Sequence, residues 1–163
     1  MDFFKYLNIP VDRKKLIHFV ESINDWQELR CRRTHNVIKG VDGYRYCPEL
    51  FECDEIKRLA EMFDIGYDKV QITRFYPDFN FPPHTDLERQ TVVLVPILPV
   101  FNYNPLIYNH MDEEYYIHYY GPIAADTTLE HSLKANGEYR INLQFDLDIS
   151  LDEVIKKLEK WMY

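Results

Sequence analysis

Tyr139-Arg140-Ile141-Asn142-Leu143-Gln144-Phe145 alternates polar and apolar residues without a break. In an extended chain, residues two apart share a face, so Arg140, Asn142 and Gln144 line one side and Ile141, Leu143 and Phe145 the other. The stretch is expected to turn its polar face inward, toward a site, and to pack its apolar face beneath helices.

Other runs have the same period. Val70 to Tyr76, Thr91 to Val95 and Glu114 to Tyr120 are alternating or rich in β-branched and aromatic residues, as strands are. Pro77-Asp78, Pro82-Pro83, Gly121-Pro122 and Asn136-Gly137 separate them, the last expected to be a hairpin-type turn. Before Lys69 the pattern is different. Asp12 is placed to cap a helix reaching about Leu29, with Leu16, Phe19, Val20, Ile23 and Trp26 on its stripe. A second helix fits Asp54 to Asp64, with Gly66 as its terminating glycine. Cys31 to Leu50 reads as irregular. Ser150-Leu151-Asp152-Glu153 is a capping box for a last helix carrying Leu151, Val154, Ile155, Leu158 and Trp161. The expected architecture is α+β: one domain over 1–163, with a helical part to about 68, a β core over about 69–148 and a helix over about 150–162.

Composition narrows the function. A chain of 163 residues with 46% hydrophobic and 15% aromatic content can bury a core unaided. The longest apolar run, Thr91 to Phe101, holds two prolines and is far short of the roughly 20 residues a membrane helix needs. No signal peptide is read at the start, and three cysteines (Cys31, Cys47, Cys53) fit reduced thiols in a cytoplasmic protein. A net charge of -8 argues against a nucleic-acid partner.

The chemistry is expected from histidine. His84-Thr85-Asp86 presents an imidazole and a carboxylate on one face of an extended segment, and His131 follows at the start of a turn into the final strand. Two histidines and a carboxylate are the facial triad that holds non-haem Fe(II) with positions left open. Arg140 offers a planar fork suited to a carboxylate. His110-Met111-Asp112 is a rival triplet, read as a solvated loop because it lies too close to His131 for the intervening strands. A zinc site from Cys31, His35, Cys47 and Cys53 lacks a Cys-x-x-Cys knuckle. The six tyrosines between Phe101 and Tyr120 are read as core plus surface rather than as a substrate clasp.

Gln71-Ile72-Thr73-Arg74-Phe75-Tyr76-Pro77-Asp78, Pro83-His84-Thr85-Asp86, Arg89-Gln90-Thr91-Val92-Val93-Leu94, Leu129-Glu130-His131 and Gly137 to Phe145 follow one another in an order and spacing that resembles the 2-oxoglutarate/Fe(II)-dependent dioxygenases. The prolyl-hydroxylase-like branch is the nearest, and Asp126 to His131 is also similar to the aspartyl/asparaginyl β-hydroxylases. The resemblance covers about half the chain. It implies a double-stranded β-helix (a jelly roll, cupin-like) with supporting helices, iron on His84, Asp86 and His131, and Arg140 on the far carboxylate of 2-oxoglutarate. Ascorbate comes with it as a candidate cofactor. The implied reaction hydroxylates a peptidyl or free amino-acid side chain, or a small metabolite, and releases succinate and CO2. Asp78 stands where the family often has glycine, and Val95 where it often has a co-substrate tyrosine. Asn142 or Gln144 is expected to take over that contact, and Arg74 or Tyr76 to reach it from the first core strand. A cupin-like metalloenzyme of another reaction type and a non-catalytic jelly-roll binding module are the alternatives.

Overall fold

The computed structural model describes residues 2–31, 33–86, 89–100 and 105–159. Arg32, the first part of the tyrosine-rich segment (101–104) and Trp161 lie outside the described residues. Two antiparallel sheets face each other. The larger is built from β1 (Phe4–Tyr6), β2 (Gln27–Arg30), β3 (Val37–Arg45), β4 (Val70–Phe75), β6 (Thr91–Leu98), β9 (Ile123–Asp126) and β11 (Arg140–Leu147), in the order β1-β9-β6-β11-β4-β3-β2. The smaller has β5 (Phe81–His84), β7 (Leu106–His110), β8 (Glu113–Ile117) and β10 (His131–Leu133), in the order β5-β10-β7-β8. With three helices added, this is an α+β jelly roll.

The helices α1 (Arg13–Ser22), α2 (Asp54–Met62) and α3 (Leu151–Leu158) cover the outer face of the larger sheet. Leu16, Ile56, Leu59 and Val154 pack there against Ile72, Val93, Val95, Leu143 and Phe145, and the rings of Phe63 and Phe145 lie 5.1 Å apart. Burial at this scale is what holds a chain of this length, at roughly 1.5–3 kcal/mol per large apolar side chain. The expected capping box at Ser150 is complete: its hydroxyl accepts from the Glu153 N–H, and the Glu153 carboxylate accepts from the Ser150 N–H. Asp12 caps α1 through the Lys15 N–H.

Four expectations are corrected. First, α1 stops at Ser22 and Gln27–Arg30 is an edge strand. Trp26 leaves the helical stripe to lie under the Arg74 guanidinium, 4.2 Å from ring centre to Cζ. Second, the segment read as irregular contains the nine-residue strand β3, so the first third of the chain is not mainly helical. Gly40 and Gly43 hide its alternation. Gly40 has φ +87° and faces Phe79, which an added Cβ would meet at 3.0 Å, and Gly43 leaves room for Leu29. Third, Asp64 rather than Gly66 takes the left-handed position after α2 (φ 57°), and the Ile65 N–H closes on Ala60. Asparagine and aspartate tolerate that conformation better than other side chains do. Fourth, Asn136-Gly137 is a crossover between sheets rather than a hairpin, with Gly137 at φ +81° and its N–H donated to the Pro77 carbonyl. A two-residue hairpin instead joins β7 and β8. Its two turn residues Met111 and Asp112 both have positive φ (50° and 62°), the pattern of a type I′ turn. The rival His110-x-Asp112 triplet is therefore a hairpin tip. Among the described residues, no helix is long and apolar enough to cross a membrane.

Replacing Gly40 with alanine should destabilise the fold by about 1–2 kcal/mol, because a left-handed φ and the Phe79 contact act together. Urea denaturation of the two proteins measures it, with an unchanged slope expected.

Candidate metal centre

Strand pairing creates the site. His131 on β10, not in the turn expected for it, lies opposite His84 on β5 in the antiparallel register. The two imidazoles are therefore neighbours, with ring centres 4.4 Å apart. Asp86 follows β5 by two residues and is anchored by its N–H on the Thr127 carbonyl. Each histidine is held in the same way: Nδ1 of His84 lies 2.8 Å from the Pro82 carbonyl, and Nδ1 of His131 lies 2.8 Å from the Leu129 carbonyl. Only a protonated nitrogen can share that contact, so in each neutral ring the hydrogen sits on Nδ1 and the Nε2 lone pair is bare. Both Nε2 atoms lie 3.7 Å from an Asp86 oxygen, His84 from Oδ1 and His131 from Oδ2, and the three ligand atoms are within 4.8 Å of one another. Donors about 2.0–2.2 Å from a common ion lie about 3 to 4 Å apart, so the residues fit a first-row metal. Among the described residues no other group of histidine, cysteine and acid converges in this way, including Cys31, His35, Cys47 and Cys53.

The electrostatics agree. Burial pushes His131 below its ordinary value, favouring the neutral ligand form. Arg89 donates from Nε to Asp86 (2.9 Å) and forms a second ion pair with Asp146. Burial alone would lower Arg89, but Asp146 and Asp86 outweigh it and raise it. Asp146 also accepts from the Tyr46 hydroxyl (2.7 Å) and the Gln71 amide (3.1 Å). The Asp86 carboxylate is thus fixed through Arg89 to a second buried acid, a link that sequence spacing did not indicate.

The triad opens on a cavity of about 1070 Å³ between the sheets. Its floor is the inward face of β11, where Arg140, Asn142, Gln144 and Asp146 are all buried. Register extends that floor sideways, aligning Gln71 with Gln144 and Thr73 with Asn142, and the Gln144 amide donates to the Thr73 hydroxyl (3.0 Å). Asn142 Oδ1 is buried without a hydrogen-bond partner, an acceptor left for a ligand. Arg140 donates to the hydroxyl of Tyr119 at 2.5 Å. Tyr119 was not singled out from the sequence, yet the alternation that buries Ile117 and Tyr119 and exposes Tyr116 and Tyr120 marks it.

Arg74 is corrected. Gln71, Thr73 and Phe75 face the cavity, so Arg74 faces the other way, paired with Asp42 through Nε (3.1 Å). The Tyr76 hydroxyl donates to the same carboxylate at 2.8 Å, and Tyr76 does not line the cavity that holds the triad. Val95 belongs to the helix-side core.

No family model matches the chain, and no curated protein matches it. Solved structures do. A Trichoplax adhaerens prolyl hydroxylase in complex with a hypoxia inducible factor oxygen degradation domain peptide aligns over 83% of this chain and 76% of its own, at 17% identity and a TM-score of 0.62. A viral collagen prolyl hydroxylase from Paramecium Bursaria Chlorella virus-1, in its 2-oxoglutarate complex, covers 88% of this chain and 93% of its own, at 11% identity and a TM-score of 0.57. A Burkholderia pseudomallei oxidoreductase of the 2OG-Fe(II) oxygenase family covers 82% and 80%, at 9% identity and a TM-score of 0.55. This chain shares their fold.

Asp86→Ala should abolish tight Mn(II) binding while leaving the circular dichroism spectrum unchanged. Arg89→Gln should weaken Mn(II) binding about 10- to 100-fold, the usual effect of losing a group that orients a ligand. Calorimetric titration of the three proteins checks both, and His110→Ala should titrate like the wild type.

Proposed function

We propose that the chain is an Fe(II)- and 2-oxoglutarate-dependent oxygenase that hydroxylates an amino-acid side chain. One observation carries this reading: two bare Nε2 atoms and a carboxylate converge at one side of a cavity whose floor holds a buried arginine. The solved structures of the same fold support it, since they include a 2OG-Fe(II) oxygenase family member and a prolyl hydroxylase in complex with 2-oxoglutarate.

His84, Asp86 and His131 would hold the metal, and the Nδ1 contacts to backbone carbonyls orient both histidines with Nε2 toward it. Arg140 pairs with the distal carboxylate of 2-oxoglutarate, with Tyr119 steering its guanidinium. Asn142 and Gln144 present amides beside it, so Asn142 remains the candidate for a further co-substrate contact. Val92, Leu94 and Leu106 line the same cavity and keep water from the reacting centre. When bound, iron with 2-oxoglutarate and O2 supplies an oxidative decarboxylation that yields succinate and CO2 and places one oxygen atom on the substrate. At about 1070 Å³, the cavity is larger than a five-carbon diacid requires, which leaves space for a second substrate. The peptide in the Trichoplax structure supports a peptidyl one.

Incubation with Fe(II), ascorbate and 2-oxoglutarate should release succinate above a metal-free control. With Mn(II) in place of iron, Arg140→Ala should weaken 2-oxoglutarate binding about 10- to 150-fold, the equivalent of about 1.5–3 kcal/mol for a lost charge-assisted pair. Arg140→Lys should recover only part of it, because an ammonium lacks the parallel fork. Metal affinity without co-substrate should be the same in all three. Equal 2-oxoglutarate affinities would instead favour a metalloenzyme of another reaction type, and no metal binding at all would favour a binding module.

A further inference from the structure

The lip of the cavity along β3 has a charge that the chain as a whole lacks. The net charge of the chain is -8, yet six cationic and only four acidic side chains line the cavity. Two of the cations, Arg89 and Arg140, lie inside it. The other four sit at its edge in two pairs: Arg30 and Arg33 by the β2–β3 turn, Arg45 and Lys69 at the opposite end of β3. Arg30 makes a loose pair with Glu28 (3.7 Å), and Lys69 pairs with Asp148 (2.9 Å). Arg33 and Arg45 make no ion pair among the described residues, although both border the cavity, as do the acids Asp68 and Glu130. Opposite β2 the strand bulges, with Glu28 facing Asp42 and Arg30 facing Val37, so its nine residues set the two pairs only about 17 Å apart.

Between the cations the wall is apolar and aromatic. Phe75 stacks on Phe79 with ring centres 5.7 Å apart, Phe79 meets Phe81 edge-on at 5.7 Å, and Phe81 lies 4.1 Å from the His84 ring. Ile38 and Leu133 pack against the same cluster and remain partly exposed. This shelf therefore runs directly up to a residue of the triad.

Building on the hydroxylase reading, we propose that this lip binds an extended peptide stretch of about five or six residues, apolar at its centre and acidic on both flanks. The spacing of the cationic pairs sets the length. The aromatic shelf receives the central side chains beside His84, and Arg33 and Arg45 receive the flanking carboxylates. A free amino acid does not span that interval.

Three pools of nine-residue peptides test this. Their central five positions are randomised among apolar residues and proline, and the two positions at each end are fixed as glutamate, lysine or serine. Binding to the protein loaded with Mn(II) and 2-oxoglutarate is read by fluorescence anisotropy at two salt concentrations. The glutamate pool should bind about tenfold tighter than the lysine pool at low salt, with the advantage shrinking as salt rises. Arg33→Glu and Arg45→Glu should each remove most of that preference while Mn(II) and 2-oxoglutarate affinities, measured on the same samples, stay unchanged. Arg45→Gln gives an intermediate result if charge is the cause. Equal binding of the three pools, a preference that survives both reversals, or free glutamate competing as well as the peptides would overturn the proposal. Failure of Mn(II) and 2-oxoglutarate to bind would overturn the hydroxylase reading instead, and the pools tested on the unloaded protein would still report on the lip.

Discussion

The inward polar face of β11 is the constraint on which the rest depends. A central strand, paired on both sides by β4 and β6, ordinarily presents apolar residues to the partner sheet. Here it presents an arginine, two amides and an acid, all buried. Such groups must find partners or solvent, so the sheets cannot close on a dry core along β11; they do so only beside it, where Val92, Leu94, Ile123 and Ala125 meet Leu106, Tyr108 and Ile117. The main apolar core moves to the helix side, where Leu143 and Phe145 join α1, α2 and α3. The cavity is the space this division leaves open, and the smaller sheet is the wall that carries the histidines.

That wall has its own economy of means. One backbone register brings two histidines together, and one local hydrogen bond, repeated in each, decides which nitrogen faces inward. Asp86 comes from outside the ladder, and Arg89 compensates by tying it to Asp146 on the opposite sheet. The two sheets are thus joined across the cavity by charge, at the point where a metal ion would add its own.

Much of this was legible in the residue pattern wherever side chains alternate. β4, β6, β11 and the Ser150 cap follow the reading closely, and the convergence of His84, Asp86 and His131 follows from their types and order. What was hidden lay where glycine replaces a patterned side chain, as in β3, or where tertiary contact overrides local preference, as with Trp26 under Arg74. Arg74 follows a simpler rule: parity along β4 assigns it to the face opposite Thr73, away from the cavity. Tyr119 and Arg89 were missed because each acts through a partner distant in sequence, 21 residues away for Arg140 and 57 for Asp146.

Two of the four residues of β5 are proline, and β5 is an edge strand. Without N–H groups at Pro82 and Pro83, a chain lying beside this edge cannot continue the ladder there. Self-templated strand addition, the usual hazard of an open sheet edge, is suppressed next to the triad. It also follows that recognition on this side relies less on backbone pairing and more on side chains. Backbone pairing accepts almost any sequence, whereas side-chain contacts discriminate, so drift in specificity can proceed by single substitutions on the rim while the scaffold stays fixed.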